Sequence, residues 1–217
     1  MSILSKQAAN LITLLRVLLV FAVIYLLKSS NPIICLWGVL LLQIIFLMDG
    51  LDGYIAKKTK SANALGGLID VLGDRITENL LFIFFAVHAV APMYVALLFV
   101  VRSFVTDFVR SLSYKQGYST YSIHTSALGY IFVASRSSRV VYLTMKFLLF
   151  TLGAISLFFI RLNSTYAMQI HMLPMLKQTI YAIANLLMAF SLLRCAFVIY
   201  DNRNVITQTF LKNVKNQ

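Results

Sequence analysis

Six long apolar runs follow one another along this chain, at 11–27, 33–48, 68–90, 93–112, 140–160 and 179–200. This pattern constrains the fold more than any other feature. A helix crossing a bilayer needs about 20 mostly apolar residues, because every backbone polar group must be satisfied within the segment. Soluble domains are about 25% charged; this chain is 12% charged and 60% hydrophobic over its 217 residues. Its mean hydropathy of +0.83 points the same way. The expectation is an all-α polytopic membrane protein with six transmembrane helices, a single membrane domain over 1–217. Residues 1–10 are expected to form a short interfacial segment with Ile3, Leu4 and Ala8 toward lipid, and 203–217 a polar tail. Asn31-Pro32 and Ala91-Pro92 mark tight turns between runs. The first run has no small-residue cleavage pattern after it and reads as a retained span, not a signal peptide.

Charge sets the expected topology. With the N-terminus inside, the inner segments carry eleven Lys or Arg and the outer loops only Lys28, Arg161 and Lys177. Basic residues concentrate on the cytoplasmic side of membrane proteins, so both termini and the 49–67 and 113–139 connections are expected there. The formal net charge of +12 is spread over membrane segments and loops, with no soluble domain to carry a nucleic-acid patch. The partners it fits are the lipid bilayer and anionic ligands. Cys35 and Cys195 lie in apolar runs with no CxxC or Cys/His cluster, the pattern of buried membrane cysteines. His88, His124 and His171 are scattered and read as structural or solvated.

The acids carry the chemical information. Of seven in the chain, Asp49, Asp52, Asp70 and Asp74 fall within 26 residues. Asp49 and Asp52 are three apart at the end of the second run, and Asp70 and Asp74 four apart at the start of the third. Each spacing puts its pair on one helix face. Two antiparallel helices joined through 53–67 can bring the faces together. Intramembrane carboxylates are costly to insert, and facing ones repel unless cations sit between them. Hard oxygen ligands suit Mg²⁺ or Mn²⁺, and two such ions suit phosphoryl transfer. Salt bridges to Lys57, Lys58, Lys60 and Arg75 are the competing structural account, and a divalent-cation transporter the competing functional one. Glu78, one turn past Asp74, is expected to pack or to support the site.

The stretch from Asp49 to Asp74 resembles the motif D-x2-D-G-x2-A-R-x8-G-x3-D-x3-D of the CDP-alcohol phosphotransferases (CDP-alcohol phosphatidyltransferase family), with Gly53, Ala56 and Gly66 in register and Lys57 where that family usually has Arg. Asn10, Thr13 and Arg16 are similar to its N-x-x-T-x-x-R opening. The resemblance implies transfer of a phosphatidyl group from CDP-diacylglycerol to a small alcohol, with release of CMP. It implies metal ligation by Asp49, Asp52, Asp70 and Asp74 with two divalent cations, Mg²⁺ or Mn²⁺, and Asp74 as general base. It also implies nucleotide contacts from Thr13, Asp52, Gly53, Ala56 and Lys57, a homodimer, and a place in a bacterial-type inner membrane with the active site facing the cytoplasm. Lys57 keeps the charge of Arg but not its bidentate fork. For the acceptor, Arg102 and Arg110 on the fourth run and Arg136 and Arg139 before the fifth suit a phosphate group. Arg102 and Arg110 have a spacing similar to the phosphatidylglycerophosphate synthase branch, which makes glycerol 3-phosphate the leading acceptor. The alternatives are inositol phosphate, inositol or another polyol, a CDP-aminoalcohol enzyme acting on diacylglycerol, and topology residues that bind nothing.

Overall fold

A computed structural model of the chain describes residues 3–58, 64–115, 126–167, 170–207 and 209, with side chains described over 10–50, 66–112, 126, 128–167, 170–207 and 209. Six helices of more than 20 residues make up most of it: α1 (Ile3–Lys28), α2 (Pro32–Lys58), α3 (Ala64–Val87), α4 (Met93–Lys115), and, after a short piece α5 (Ala127–Gly129), α6 (Arg136–Tyr166) and α7 (Leu173–Asp201). The protein is all-α in its described residues and membrane-associated. Four segments are long and apolar enough to cross a membrane: Asn10–Lys28, Pro32–Gly50, Arg136–Tyr166 and Leu173–Asp201. Helices α3 and α4 match them in length but not in composition. The first carries Asp70, Asp74, Arg75 and Glu78, the second Arg102, Asp107, Arg110 and Lys115.

The expected interfacial segment is not a separate helix. Residues from Ile3 run unbroken into α1, because no Gly or Pro interrupts this stretch. The orientation of Ile3, Leu4 and Ala8 lies outside the described side chains, as do residues 210–217 of the polar tail. The 113–139 connection is helical in part. Its described part holds α5 and a π-helical turn over Tyr130–Ala134, closed by Ser135 N–H donating to Tyr130 O at 2.8 Å. Such a turn inside a run this short leaves no periodicity to read.

Both predicted turns are present. Asn31 Oδ1 accepts from Ile33 N–H at 2.9 Å and so caps α2, with Pro32 in the first helical position. After α3 the chain reverses through Ala89 at φ 55°, and Val90 N–H reaches back to Phe85 O at 2.9 Å.

The chain forms two compact units. The first comprises Met1–Ala96 with Phe147–Ala182, the second Leu97–Lys146 with Ile183–Gln217. In the first unit α1 packs on both α2 and α3. Phe82 and Phe150 meet edge to face at 4.8 Å, Phe46 stacks near Phe150, and Gly153 admits the Phe85 ring. Gln43 and Thr151 form a polar tie between α2 and α6 at 3.3 Å. Within a bilayer this close fit and its hydrogen bonds, not exclusion of water, hold helices together. In the second unit Val109, Val133 and Val198 form a small core, and Phe132 stacks on Phe197 at 5.5 Å.

Candidate active site

The first unit brings three of the four predicted acids together. Asp49 comes from α2, Asp70 and Asp74 from successive turns of α3, and one carboxylate oxygen from each lies within 4.8 Å of the others. Their side chains are 34%, 50% and 40% exposed, so the cluster opens outward. Asp52, Gly53, Ala56 and Lys57 follow on the same helical stretch of α2, with side chains outside the described residues.

The fourth member was visible in the sequence only as part of the N-x-x-T-x-x-R opening. Arg16 of α1 is 2% exposed. Its Nη1 pairs with Asp49 Oδ1, and its Nη2 donates to Asp74 Oδ1 at 2.9 Å and to Asp70 Oδ1 at 3.5 Å. Charge-assisted bonds from one planar fork to several carboxylates are what a guanidinium offers and an ammonium does not. Thr13, one turn earlier on the same face of α1, is buried. Both rest against Gly73: a Cβ added there would lie 2.6 Å from Thr13 Cγ2 and 3.4 Å from Arg16 Nη2. The absence of that carbon lets α1 and α3 close around the acids. Gly73 lies in the variable gap of the motif, so its role could be found only through its neighbours in space.

Glu78 is buried and pairs with Arg75 Nη1 at 3.5 Å on its own helix, a supporting place of the kind expected. His88 Nδ1 is 2.9 Å from Phe84 O, a structural contact.

The donor set of the cluster is entirely carboxylate oxygen, from two helices, around a point already held by positive charge. This arrangement is consistent with a metal-binding site for a hard divalent cation.

A family model for CDP-alcohol phosphatidyltransferases matches residues 6–200. The chain belongs to that family. No curated protein and no solved structure gives a significant match. The matched segment contains the acidic cluster, Arg16, Gly73 and every proposed nucleotide and acceptor contact. As a CDP-alcohol phosphatidyltransferase, the protein carries the general reaction type of the family.

The second unit of this phosphatidyltransferase gathers cations. The Tyr142 ring, buried on α6, has Lys146 Nζ at 4.9 Å, the Arg194 guanidinium at 4.9 Å and that of Arg102 at 5.7 Å from its centroid. Arg102 is 6% exposed, and its Nε and Nη1 have no hydrogen-bond partner among the described residues. Arg102, Arg110 and Arg139 all bear electrostatically on Arg194. Arg136 is exposed at the start of α6 and makes no hydrogen bond or ion pair among the described residues. Of the four predicted acceptor arginines, Arg102 thus lies at the Tyr142 ring with Arg194 and Lys146. Arg194 and Tyr142 were missed because each sits singly in an apolar run, and only α7 packing beside α6 unites them.

Proposed function

We infer that this protein transfers the phosphatidyl group of CDP-diacylglycerol to a small phosphorylated alcohol, with glycerol 3-phosphate the leading acceptor, and releases CMP. The observation that carries this reading is the convergence of Asp49, Asp70 and Asp74 within 4.8 Å in a chain of this family. In the proposed reaction the acceptor hydroxyl oxygen attacks the phosphorus that bears diacylglycerol. The bond from that phosphorus to the bridging anhydride oxygen breaks, and CMP leaves with the electron pair. Asp74 takes the hydroxyl proton, since an alcohol is a weak nucleophile until a positioned base accepts it.

Asp49, Asp52, Asp70 and Asp74 would hold two divalent cations, Mg²⁺ or Mn²⁺. When bound, these supply positive charge against the pyrophosphate and the charge developing in transfer. Thr13, Gly53, Ala56 and Lys57 are assigned to the cytidine nucleotide. The acceptor phosphate is assigned to Arg102, Arg110, Arg136 and Arg139, joined by Arg194 and Lys146. The buried, unpartnered nitrogens of Arg102 support this, because such donors are costly unless an acceptor meets them. The active site is placed on the cytoplasmic side of an inner-type membrane, and the active species is taken as a homodimer.

The test is CMP release by purified protein given CDP-diacylglycerol, Mg²⁺ or Mn²⁺, and a panel of acceptors. Release with glycerol 3-phosphate, lost with chelator and restored by either ion, is expected. Release with none of the acceptors would overturn the reading. Asp74→Asn should abolish turnover, and retained activity would remove Asp74 as the base.

A further inference from the structure

Three carboxylates with oxygens within 4.8 Å of one another need a cation among them. The chain supplies one. Arg16 reaches in from α1, only 2% exposed, and places two nitrogens on three carboxylates: Nη1 on Asp49, Nη2 on Asp74 at 2.9 Å and Asp70 at 3.5 Å. It engages one oxygen of each acid, among the same atoms that a divalent cation would take. One oxygen cannot lie at full strength against both a guanidinium nitrogen and a metal ion.

The geometry points to Arg16 as the triad's internal counter-cation, a positioning residue that holds α2 and α3 together across the site and that divalent ions must partly displace. This rests on the reading of the triad as a metal site. Two consequences follow. Without metal the site stays assembled instead of being driven apart by repulsion. Metal affinity is held down, because each ion must compete for carboxylate oxygens already engaged. The closing of α1 onto α3 at Gly73 keeps the guanidinium within reach, so a displaced Arg16 remains beside the site.

The experiment compares wild type, Arg16→Gln, Arg16→Lys and Asp70→Asn in detergent after chelator treatment. It reads the melting temperature without metal and Mn²⁺ binding from the electron-spin signal of the free ion. Arg16→Gln should melt lower than wild type without metal, bind Mn²⁺ roughly ten- to a hundredfold more tightly, and gain more melting temperature from saturating Mn²⁺. Arg16→Lys, a point charge without the fork, should fall between the two, and it carries the comparison if Arg16→Gln does not fold. Unchanged or weaker Mn²⁺ binding in the Arg16 variants would overturn the inference while leaving the metal site standing, provided wild type binds Mn²⁺ and Asp70→Asn does not. Absence of saturable Mn²⁺ binding from every form would remove the metal reading and this inference together.

Discussion

At Gly73 a single carbon sets how near α1 comes to α3. Adding a Cβ would press Thr13 Cγ2 and crowd Arg16, both buried on α1. Overpacking of this kind costs about 1–3 kcal/mol. Gly73→Ala is therefore expected to lower the melting temperature by roughly 3–10 °C and to reduce CMP release. Thr13→Ser, which removes the methyl group, should restore much of both in the double variant. Failure of that rescue in a double-mutant cycle would mean that the methyl is not the obstacle. Gly129 shows the same logic in the second unit, where a Cβ would overlap the Asp201 carboxylate. The motif spacing made Asp49, Asp70 and Asp74 legible in the sequence. Gly73, Arg194 and Tyr142 were not, because spacing reports which residues share a helix face, not which foreign side chain the face will meet.

Among the elements, α3 and α4 ask the most of a bilayer. Charged side chains at membrane depth are tolerated where they pair. Asp70 and Asp74 do so with Arg16, and Glu78 with Arg75. We expect both helices to cross, so that their connecting turn lies on the face opposite the 49–67 connection. Ala89, exposed in that turn, tests this. Ala89→Cys, in a chain with Cys35 and Cys195 replaced, should react with an impermeant maleimide added outside intact cells. Labelling only after the cells are opened would mean that the hairpin turns back. Helix α6 depends on α7 at its start. Arg194 donates to Val133 O of the π-helical turn at 3.3 Å, and to Ser138 O at 3.3 Å and Ser138 Oγ at 3.1 Å in the first turn of α6. Hydrogen bonds from a charged donor contribute about 1.5–3 kcal/mol. Arg194→Met should destabilise by about that amount and raise the acceptor KM more than that for CDP-diacylglycerol; equal changes in both would make Arg194 structural alone.

For the whole molecule, hydropathy foretold six long helices and the two turns that separate them, because apolar runs and Asn-Pro or Ala-Pro breaks are local signals. It marks only four of the six as apolar enough to cross a membrane, because α3 carries Asp70, Asp74, Arg75 and Glu78 and α4 carries Arg102, Asp107 and Arg110. It also missed the helical pieces after Ser126, which are too short for a period to show. The charge bias predicts that a fluorescent reporter active only in the cytoplasm will light up when fused at either terminus. A dark fusion at one end would mean an odd number of crossings.

The unbroken α1 also serves as a ruler. From Asn10 to Arg16 is six residues of this helix, about 9 Å at ~1.5 Å per residue. Asp49, Asp70 and Asp74 meet that guanidinium at one level along the helix. In the reaction proposed above, the anhydride of the lipid substrate would have to reach that level of α1.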